Sequence, residues 1–412
     1  MRKYMHLSRQ GFNFSIPTEM IYGIDSVKYK LPGTVKYFQK SKVFVATDSG
    51  LLHTGIIDSI TSVLNDNDIE TVVFSDVEPN PHAETVMKGA EIYKQQSCDM
   101  ILAIGGGSPM DFGKAVSAIV AHEGHILDYR RGQKPLRQEV PLLIAIPTTV
   151  GTGSEVTPVS VITDHQAGRK YVIASPMLAP KVAFIDPSLT TSLPRHVVSA
   201  TGVDALVHAI ESYTSLKANP ITDGLALEAI KMIKENLPAS YAHPDNLEAR
   251  AQIHLASTMA GISFGMAGVA LVHSCSHPMS ALYQVPHGLA NAIFLPHVIE
   301  HNLIANYEKY ASIARVFEPS LALENDRNAA RELAPLLKEF NKALDIPEDF
   351  SYLMLEFTDE MVDRLSKDAM NDLGTIPNNP RKAEKEDIRQ IYKKVLPMAL
   401  KKTELEAVCK TI

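Results

Sequence analysis

The chain has 412 residues, of which 45% are hydrophobic and 21% charged, and its formal net charge is −7 at pH 7. It is long enough for two or three globular domains, and it lacks the basic excess of a nucleic-acid-binding protein. Its three cysteines form no CxxC pair and no disulfide framework, which favours a reducing cytoplasm. The amino terminus has no apolar signal segment, and the uncharged stretch 255–272 is predicted to be a buried helix, not a membrane span.

Short apolar runs alternate with helical patterns through the first half of the chain. Four such runs end in Asp, Gly or Thr: 42–48, 71–76, 100–107 and 141–149. This alternation predicts a parallel α/β sheet covered by helices on both faces. Sheets of this kind bind ligands at the carboxyl ends of their strands, where the Asp, Gly and Thr residues fall.

The second half of the chain has a different pattern. Few strand signals follow residue 199, and helical periodicity extends over 222–237, 247–273, 303–316, 327–344 and 385–401. We therefore predict a domain boundary near residue 188, with an α/β domain over 1–188 and an all-helical domain over 189–412.

The segment "AIGGGSPMDFGKA" (103–115) follows a predicted strand and begins a predicted helix. Its glycines allow a ligand to approach the backbone, and the N–H groups at a helix start attract phosphate oxygens. Ser108 and Asp111 occupy positions suited to a helix N-cap and a capping-box carboxylate. Because the spacing matches neither GxGxxG nor a Walker loop, both a phosphate-binding turn and a tight strand-to-helix turn remain open.

Two further features lie at the same predicted sheet edge. The segment "IPTTVGTGSEVT" (146–157) carries hydroxyls and glycines and is either a surface loop or part of the same ligand site. Asp48 ends an earlier strand, where a carboxylate binds a ribose diol and repels a 2′-phosphate, which favours NAD over NADP. In the usual Rossmann order such an acid follows the glycines, whereas Asp48 precedes them.

The stretch "GVDALVHAIESY" (202–213) places Asp204 and His208 four residues apart in an apolar helical run. His273 and His277 repeat that spacing, and His287 follows in a "PHG" turn. An Asp-x3-His pair alone is usually a helix-surface pair, but further histidines in an almost uncharged region favour a metal site, since a buried carboxylate needs a neutralising partner. Carboxylate and imidazole donors suit Fe²⁺, Zn²⁺, Mn²⁺ or Co²⁺ better than Ca²⁺ or Mg²⁺.

Three nearby residues are excluded from the predicted metal site. His297 and His301 share the four-residue spacing, but Glu300 beside them indicates a partly exposed helix. Cys275 lies off the face shared by His273 and His277, so we predict that it belongs to the core.

Four stretches, "GGGSPMDFGKA", "PTTVGTGSEVT", "ATGVDALVHAIESY" and "LVHSCSHPMSALYQVPHG", resemble the iron-dependent (group III) alcohol dehydrogenase family. The similarity continues from "PTEMIYG" at residue 17 to "NNPRKAEKEDI" near the end. It implies a dehydroquinate synthase-like fold, with a Rossmann-like NAD-binding α/β domain and an all-α metal-binding domain. Many relatives have "FNN" where this chain has "FGM" (264–266), and a glycine pair at Met279–Ser280, so the resemblance leaves the substrate undecided.

The resemblance also implies roles for individual residues. The metal ligands correspond to Asp204, His208, His273 and His287, with Fe²⁺ as the ion and Zn²⁺, Mn²⁺ or Co²⁺ as alternatives. His277 corresponds to a nearby active-site histidine that relays the proton. The residues predicted to bind NAD are Asp48, Asn80, Gly105, Gly106, Gly107, Ser108, Asp111, Thr148, Thr149 and Lys170.

The predicted function is NAD-dependent and metal-dependent interconversion of a small primary alcohol or diol and its aldehyde, by a cytoplasmic homo-oligomer. The metal is expected to act as a Lewis acid on the substrate oxygen. Alternatives within the same fold are a zinc-dependent polyol dehydrogenase, a hydroxyacid–oxoacid transhydrogenase and a lyase of the dehydroquinate-synthase type. A nucleotide-binding regulatory protein is the non-enzymatic alternative.

Overall fold

Eight strands lie in the first half of the chain, in a computed structural model that describes residues 11–167 and 169–399. They are β1 (Glu19–Tyr22), β2 (Lys42–Ala46), β3 (Glu70–Phe74), β4 (Met100–Gly105), β5 (Leu142–Pro147), β6 (Val159–Asp164), β7 (Arg169–Ala174) and β8 (Val182–Ile185). Six of them form a parallel sheet in the order β1-β8-β5-β4-β2-β3, while β6 and β7 form a separate antiparallel pair. The predicted parallel α/β architecture is confirmed.

The central strands β4 and β5 are apolar throughout, and β2 is apolar after Lys42, because both faces of the sheet are covered. In β2, Phe44 packs into a core on one face together with Phe112, while Val45 packs into a core on the other face with Leu31. Successive strand residues point to opposite faces, so an uninterrupted apolar run such as "MILAIG" in β4 serves two cores at once.

Fourteen α-helices are found among the described residues. They are α1 (Ser26–Tyr37), α2 (Ser49–Leu52), α3 (Ile56–Asn65), α4 (Ala83–Gln95), α5 (Gly107–Ala121), α6 (Arg195–Thr214), α7 (Pro220–Ala242), α8 (Leu247–Ala267), α9 (Leu271–Tyr283), α10 (His287–Asn302), α11 (Tyr307–Phe317), α12 (Asp326–Ala343), α13 (Asp359–Met370) and α14 (Lys385–Val395). Short 3-10 helices connect several of these elements, and the predicted helical second half is confirmed.

Contacts divide the chain into two units. One comprises Met1–Ala209 and Asn219–Met266 and contains the sheet; the other comprises Ile210–Ala218 and Ala267–Ile412 and is helical where described. Helix α6 is continuous, although its residues up to Ala209 belong to the first unit and those from Ile210 belong to the second. The boundary near residue 188 stays a prediction.

One predicted helix is divided in two. The periodicity over 247–273 suggests a single helix, but α8 ends at Ala267 and α9 begins at Leu271. Gly268 between them has φ +75°, and a Cβ atom there would lie 2.5 Å from Nδ2 of Asn378. A left-handed glycine ends a helix at low cost, and here it also makes room for a distant side chain. The prediction of one helix was therefore wrong, and His273 lies on a new helix.

The described helices differ in length and in apolar composition, the two properties that a membrane span requires. None of them alone is long and apolar enough to cross a bilayer, whereas α8 and α9 satisfy length and composition only when taken together as a bent pair.

Candidate metal centre and cofactor-binding edge

The carboxyl ends of β2 and β4 form the first candidate site. The two strands are neighbours in the sheet. After β2 the chain continues to β3 on one side of the pair, and after β4 it continues to β5 on the opposite side. Such a reversal of direction is the switch point where α/β sheets bind ligands. Asp48 follows β2, and its Oδ2 lies 3.3 Å from the position that a Cβ atom on Gly105 would occupy. The structure therefore brings the predicted ribose-binding acid beside the glycine turn.

The glycine turn is packed too tightly for side chains. A Cβ atom on Gly105 would lie 2.6 Å from Cγ of Pro109, and one on Gly106 would lie 3.2 Å from Cγ2 of Thr149. Thr148 donates its backbone N–H to the carbonyl of Gly105 (3.0 Å). The predicted threonine loop thus lies directly against the turn, at the N-terminus of the fifteen-residue helix α5, where N–H groups are available to phosphate oxygens.

The capping function predicted for Ser108 and Asp111 was wrong. Helix α5 begins at Gly107 with no side-chain cap. Ser108 Oγ instead accepts the backbone N–H of Asn80 (3.2 Å), while Asp111 accepts the Ser154 hydroxyl (2.9 Å) and the Val161 N–H (3.0 Å). Burial raises the pKa of the Asp111 carboxyl, which these contacts and nearby Lys114 oppose. Contact of Asp111 with a cofactor stays a prediction.

Asn80 and Lys170 lie together near this edge. Lys170 donates from Nζ to Oδ1 of Asn80 (2.7 Å), and the Asn80 carbonyl accepts the Thr163 hydroxyl (3.1 Å). Burial lowers the pKa of Lys170 to about 8, although Asp111 favours its charged form. The bond from Asn80 to Ser108 connects this pair to the glycine turn, so the predicted cofactor residues of the sheet form one connected group.

A buried lysine holds the threonine loop in place. Lys114 on α5 is fully buried, and its Nζ lies within hydrogen-bond distance of the Ser154 carbonyl (2.6 Å), the Ser154 hydroxyl (2.8 Å), the Val159 carbonyl (2.8 Å) and the Thr157 hydroxyl (3.3 Å). Burial lowers its pKa to about 8, against the attraction of Asp111 and Glu155. Lys114 therefore ties residues 154–159 to the helix that begins at the glycine turn.

The same loop approaches helix α6 very closely. A Cβ atom on Gly151 would lie 2.5 Å from the carbonyl oxygen of Thr201, so only glycine permits this contact. The Gly151 carbonyl lies 3.1 Å from Nδ1 of His208. A carbonyl can only accept, so His208 carries its proton on Nδ1 and presents the lone pair of Nε2.

Helix α6 carries three ionisable side chains on one buried face. Asp204, His208 and Glu211 are spaced i, i+4 and i+7 and are all buried, with exposures of 3%, 6% and 3%. Phe264 stacks on the His208 ring at 4.4 Å between centroids. The spacing in "GVDALVHAIESY" thus reflects one face of a buried helix.

The four predicted metal ligands are brought together. Asp204, His208, His273 and His287 each offer one ligand atom, and these atoms lie within 4.8 Å of one another. Ligands about 2.0–2.2 Å from a shared ion are separated by about 3–4 Å, so the four atoms lie near the spacing that a divalent transition metal requires. His297 and His301, which were excluded, are not part of this group.

His277 lies beside the group and is not a member of it. Its ring stacks on His287 at 5.4 Å between centroids, and its Nδ1 lies 2.7 Å from Oδ2 of Asp372. Burial raises the pKa of Asp372, but contacts with His277, the Gly374 N–H and Thr375 together hold that pKa below its ordinary value. Asp372 therefore orients the His277 ring.

Three residues of the site were missed by the sequence analysis. Glu211 was visible as the third polar residue on the helix face of Asp204 and His208, and Lys114 as the one basic residue in the mostly apolar run 107–121. Asp372 lies 95 residues from His277, and no local pattern indicates that pairing.

Comparison with known proteins agrees with this geometry. The family model for iron-containing alcohol dehydrogenase matches residues 17–187, and the model for the C-terminal part of the Fe-containing alcohol dehydrogenase family matches 198–396. Similar proteins include the choline dehydrogenase of Bacillus subtilis (38% identity over 94% of this chain and 96% of the relative), the NAD-dependent methanol dehydrogenase of Bacillus methanolicus (35%, 93% and 100%) and the NADPH-dependent butanol dehydrogenase of Clostridium saccharobutylicum (37%, 92% and 96%).

A solved structure of 1,3-propanediol oxidoreductase superposes with a TM-score of 0.89 at 34% identity, over 93% of this chain and 99% of the other. Both halves of the chain therefore match one family in sequence, and the whole matches it in fold. The chain belongs to the iron-containing alcohol dehydrogenase family and is an oxidoreductase that acts on alcohols.

Proposed function

We propose that the protein transfers hydride reversibly between NAD(H) and a small primary alcohol or diol, using a divalent cation. The observation that carries this proposal is the group of Asp204, His208, His273 and His287, whose ligand atoms lie within 4.8 Å of one another. The Gly151 carbonyl contacts Nδ1 of His208, and the Glu211 carboxylate contacts Nδ1 of His273. These contacts leave Nε2 of each ring to serve as the ligand atom.

The cation that fits this donor set is Fe²⁺, with Zn²⁺, Mn²⁺ and Co²⁺ as alternatives. When bound, it would supply Lewis acidity to the substrate oxygen. The four side chains would hold it in a buried environment, where His208, His273 and Asp204 are each less than a tenth exposed. Low exposure strengthens every electrostatic interaction within the site.

The glycine turn and Asp48 support NAD as the hydride carrier. The start of helix α5 offers backbone N–H groups to the pyrophosphate, and Asp48 offers a carboxylate to the ribose diol. Relatives named for NAD and for NADPH both resemble this chain. The family alone therefore does not decide the cofactor, and Asp48 is the residue on which the preference for NAD depends.

His277 is proposed to relay the proton that leaves the alcohol. Because Asp372 accepts from Nδ1, Nε2 is the atom that takes up the proton. Replacing His277 with alanine should lower alcohol turnover and change its pH dependence, measured by steady-state kinetics from pH 6 to 10. The metal content of the variant should equal that of the wild type, since His277 is not a ligand. Unchanged turnover with an unchanged pH profile would exclude the relay.

The substrate class is tested by an aldehyde screen. The protein, supplied with Fe²⁺ or Zn²⁺, is assayed for NADH oxidation with straight-chain aldehydes, lactaldehyde, 3-hydroxypropionaldehyde and succinic semialdehyde. We expect turnover of short aldehydes that a chelator abolishes. Absence of NADH oxidation across the panel with metal restored would contradict the proposal and favour a nucleotide-binding protein without catalysis. Turnover of hydroxy and oxo acids without added NAD would favour a transhydrogenase instead.

Cytoplasmic location and homo-oligomeric assembly remain proposals. They follow from the composition and from the family resemblance respectively.

A further inference from the structure

Glu211 is a buried carboxylate that lies against the predicted ligand His273. Its Oε2 lies 2.6 Å from Nδ1 of His273 and accepts the backbone N–H of Ala270 at 2.9 Å, while Oε1 accepts the backbone N–H of Val272 at 2.6 Å. The side chain is 4% exposed. The backbone N–H groups of Ala270 and Val272 donate to the two different oxygens, and such donors favour an ionised carboxylate, which can only accept.

We propose that Glu211 is a positioning residue that sets the proton position of His273 and supplies a second negative charge to the cation; this rests on the proposed function. Because the carboxylate accepts from Nδ1, the lone pair of His273 is on Nε2, which faces the metal group. The ring cannot flip without breaking a buried charge-assisted hydrogen bond.

The same carboxylate also holds the helix that carries this ligand. Ala270 precedes helix α9 and Val272 is its second residue, so both N–H groups belong to the helix start that lacks intrahelical partners. A negative charge at this end is favourable to the helix dipole. Glu211 therefore fixes both the ring of His273 and the first helical turn from which it projects.

The position of Asn291 agrees with this assignment. Its Nδ2 lies 3.2 Å from Nε2 of His273 and 3.2 Å from Nε2 of His287. An amide nitrogen donates, so both Nε2 atoms act as acceptors in this arrangement. Glu211 and Asn291 therefore both place the lone pair of His273 on Nε2, and a cation bound at that atom would take the place of the Asn291 amide group.

Charge balance gives Glu211 a second effect. Asp204 supplies one negative charge directly, and Glu211 supplies another through the His273 ring. Together they would balance the two charges of a bound divalent cation in a site where unbalanced charge is costly. Removing the charge of Glu211 while keeping its shape should therefore weaken the binding of every divalent ion.

The test is the variant Glu211→Gln in the full-length chain. Its affinity for Zn²⁺ and Co²⁺ is measured by competition with a chromophoric chelator and compared with that of the wild type. We expect a loss of about 10- to 100-fold, the usual effect of removing a partner of a metal-bound histidine. The matched control is Asp186→Asn, a buried carboxylate that accepts the backbone N–H groups of Asp25 and Val27 but touches no imidazole. It should keep the wild-type affinity.

The outcomes separate this inference from the proposed function. Equal affinity of Glu211→Gln and the wild type would overturn the role of Glu211 and leave the metal site standing. Failure of the wild type to bind any divalent metal would overturn the proposed function itself. A crystal structure of the wild type soaked in Zn²⁺ needs no variant to fold: Nε2 of His273 on the ion, with Glu211 on Nδ1, is expected, and Nδ1 on the ion would refute the inference.

Discussion

Replacing His287 with alanine should abolish specific metal binding and lower alcohol turnover by about 1000-fold or more. Lewis-acid stabilisation of a developing charge supplies several kcal/mol, and each 1.4 kcal/mol corresponds to a factor of ten in rate. His287 is the first residue of α10, and its ligand atom belongs to the group of four that lie within 4.8 Å of one another. Elemental analysis of the purified variant and steady-state kinetics with added metal measure the two effects.

The chain offers a matched control on the same helix. His297 also lies on α10, but its Nδ1 faces Glu300 at 4.0 Å and it is not part of the metal group. His297→Ala should retain both metal and turnover. In the wild type, a chelator should reproduce the loss seen in His287→Ala, and Fe²⁺, Zn²⁺, Mn²⁺ and Co²⁺ should restore turnover to different extents. Full activity in metal-free wild-type protein would refute the metal-dependent mechanism.

Replacing Asp48 with glycine should shift the preference for NAD over NADP by about 100-fold, as the ratio of the two kcat/KM values. If Asp48 faces the adenosine ribose as proposed, removing the carboxylate would eliminate its repulsion of a 2′-phosphate and its hydrogen bonds to the ribose diol, together worth about 3 kcal/mol. The side chain lies beside Gly105, at the switch point of the sheet. Initial rates with each cofactor, at saturating alcohol and constant metal, provide the measurement.

A second variant separates charge from local stability. Asp48 Oδ1 accepts the backbone N–H of Leu51 at 3.1 Å and so caps the short helix α2. Asparagine keeps that cap and removes only the charge. If electrostatic repulsion sets the preference, Asp48→Asn should produce most of the shift with wild-type thermal stability. An unchanged cofactor ratio in both variants would rule out Asp48 as the determinant.

Local patterns were sufficient for much of the fold and for the candidate metal group. Apolar runs ending in Asp, Gly or Thr correspond to β2, β3, β4 and β5 because strands buried on both faces must be apolar throughout. The i, i+4 spacing of Asp204 and His208 places both on one helix face because an α-helix has 3.6 residues per turn. These features depend on neighbouring residues along the chain, so they can be predicted from the sequence.

Predictions from local patterns were wrong for segments whose contacts are with residues far away in the sequence. The helix predicted over 247–273 ends at Ala267, before the left-handed Gly268, where Asn378, over a hundred residues away, leaves no room for a Cβ atom. Asp111 was expected to cap its own helix, yet it accepts the N–H of Val161, which belongs to strand β6. In both cases a tertiary contact outweighs a weak local preference.

By itself, the sequence determined the parallel sheet, the helical second half, the glycine turn and the helix face that holds an aspartate and a histidine. Only the tertiary structure decided how the imidazoles are oriented, through contact of His208 with the Gly151 carbonyl and of His273 with Glu211. It also decided that Lys114 holds the loop that contains Ser154. The physical reason is that hydrogen bonds between side chains depend on distances of about 3 Å between atoms far apart in the chain. Periodicity assigns a residue to a face, whereas its hydrogen-bond partner depends on the packing of the whole chain.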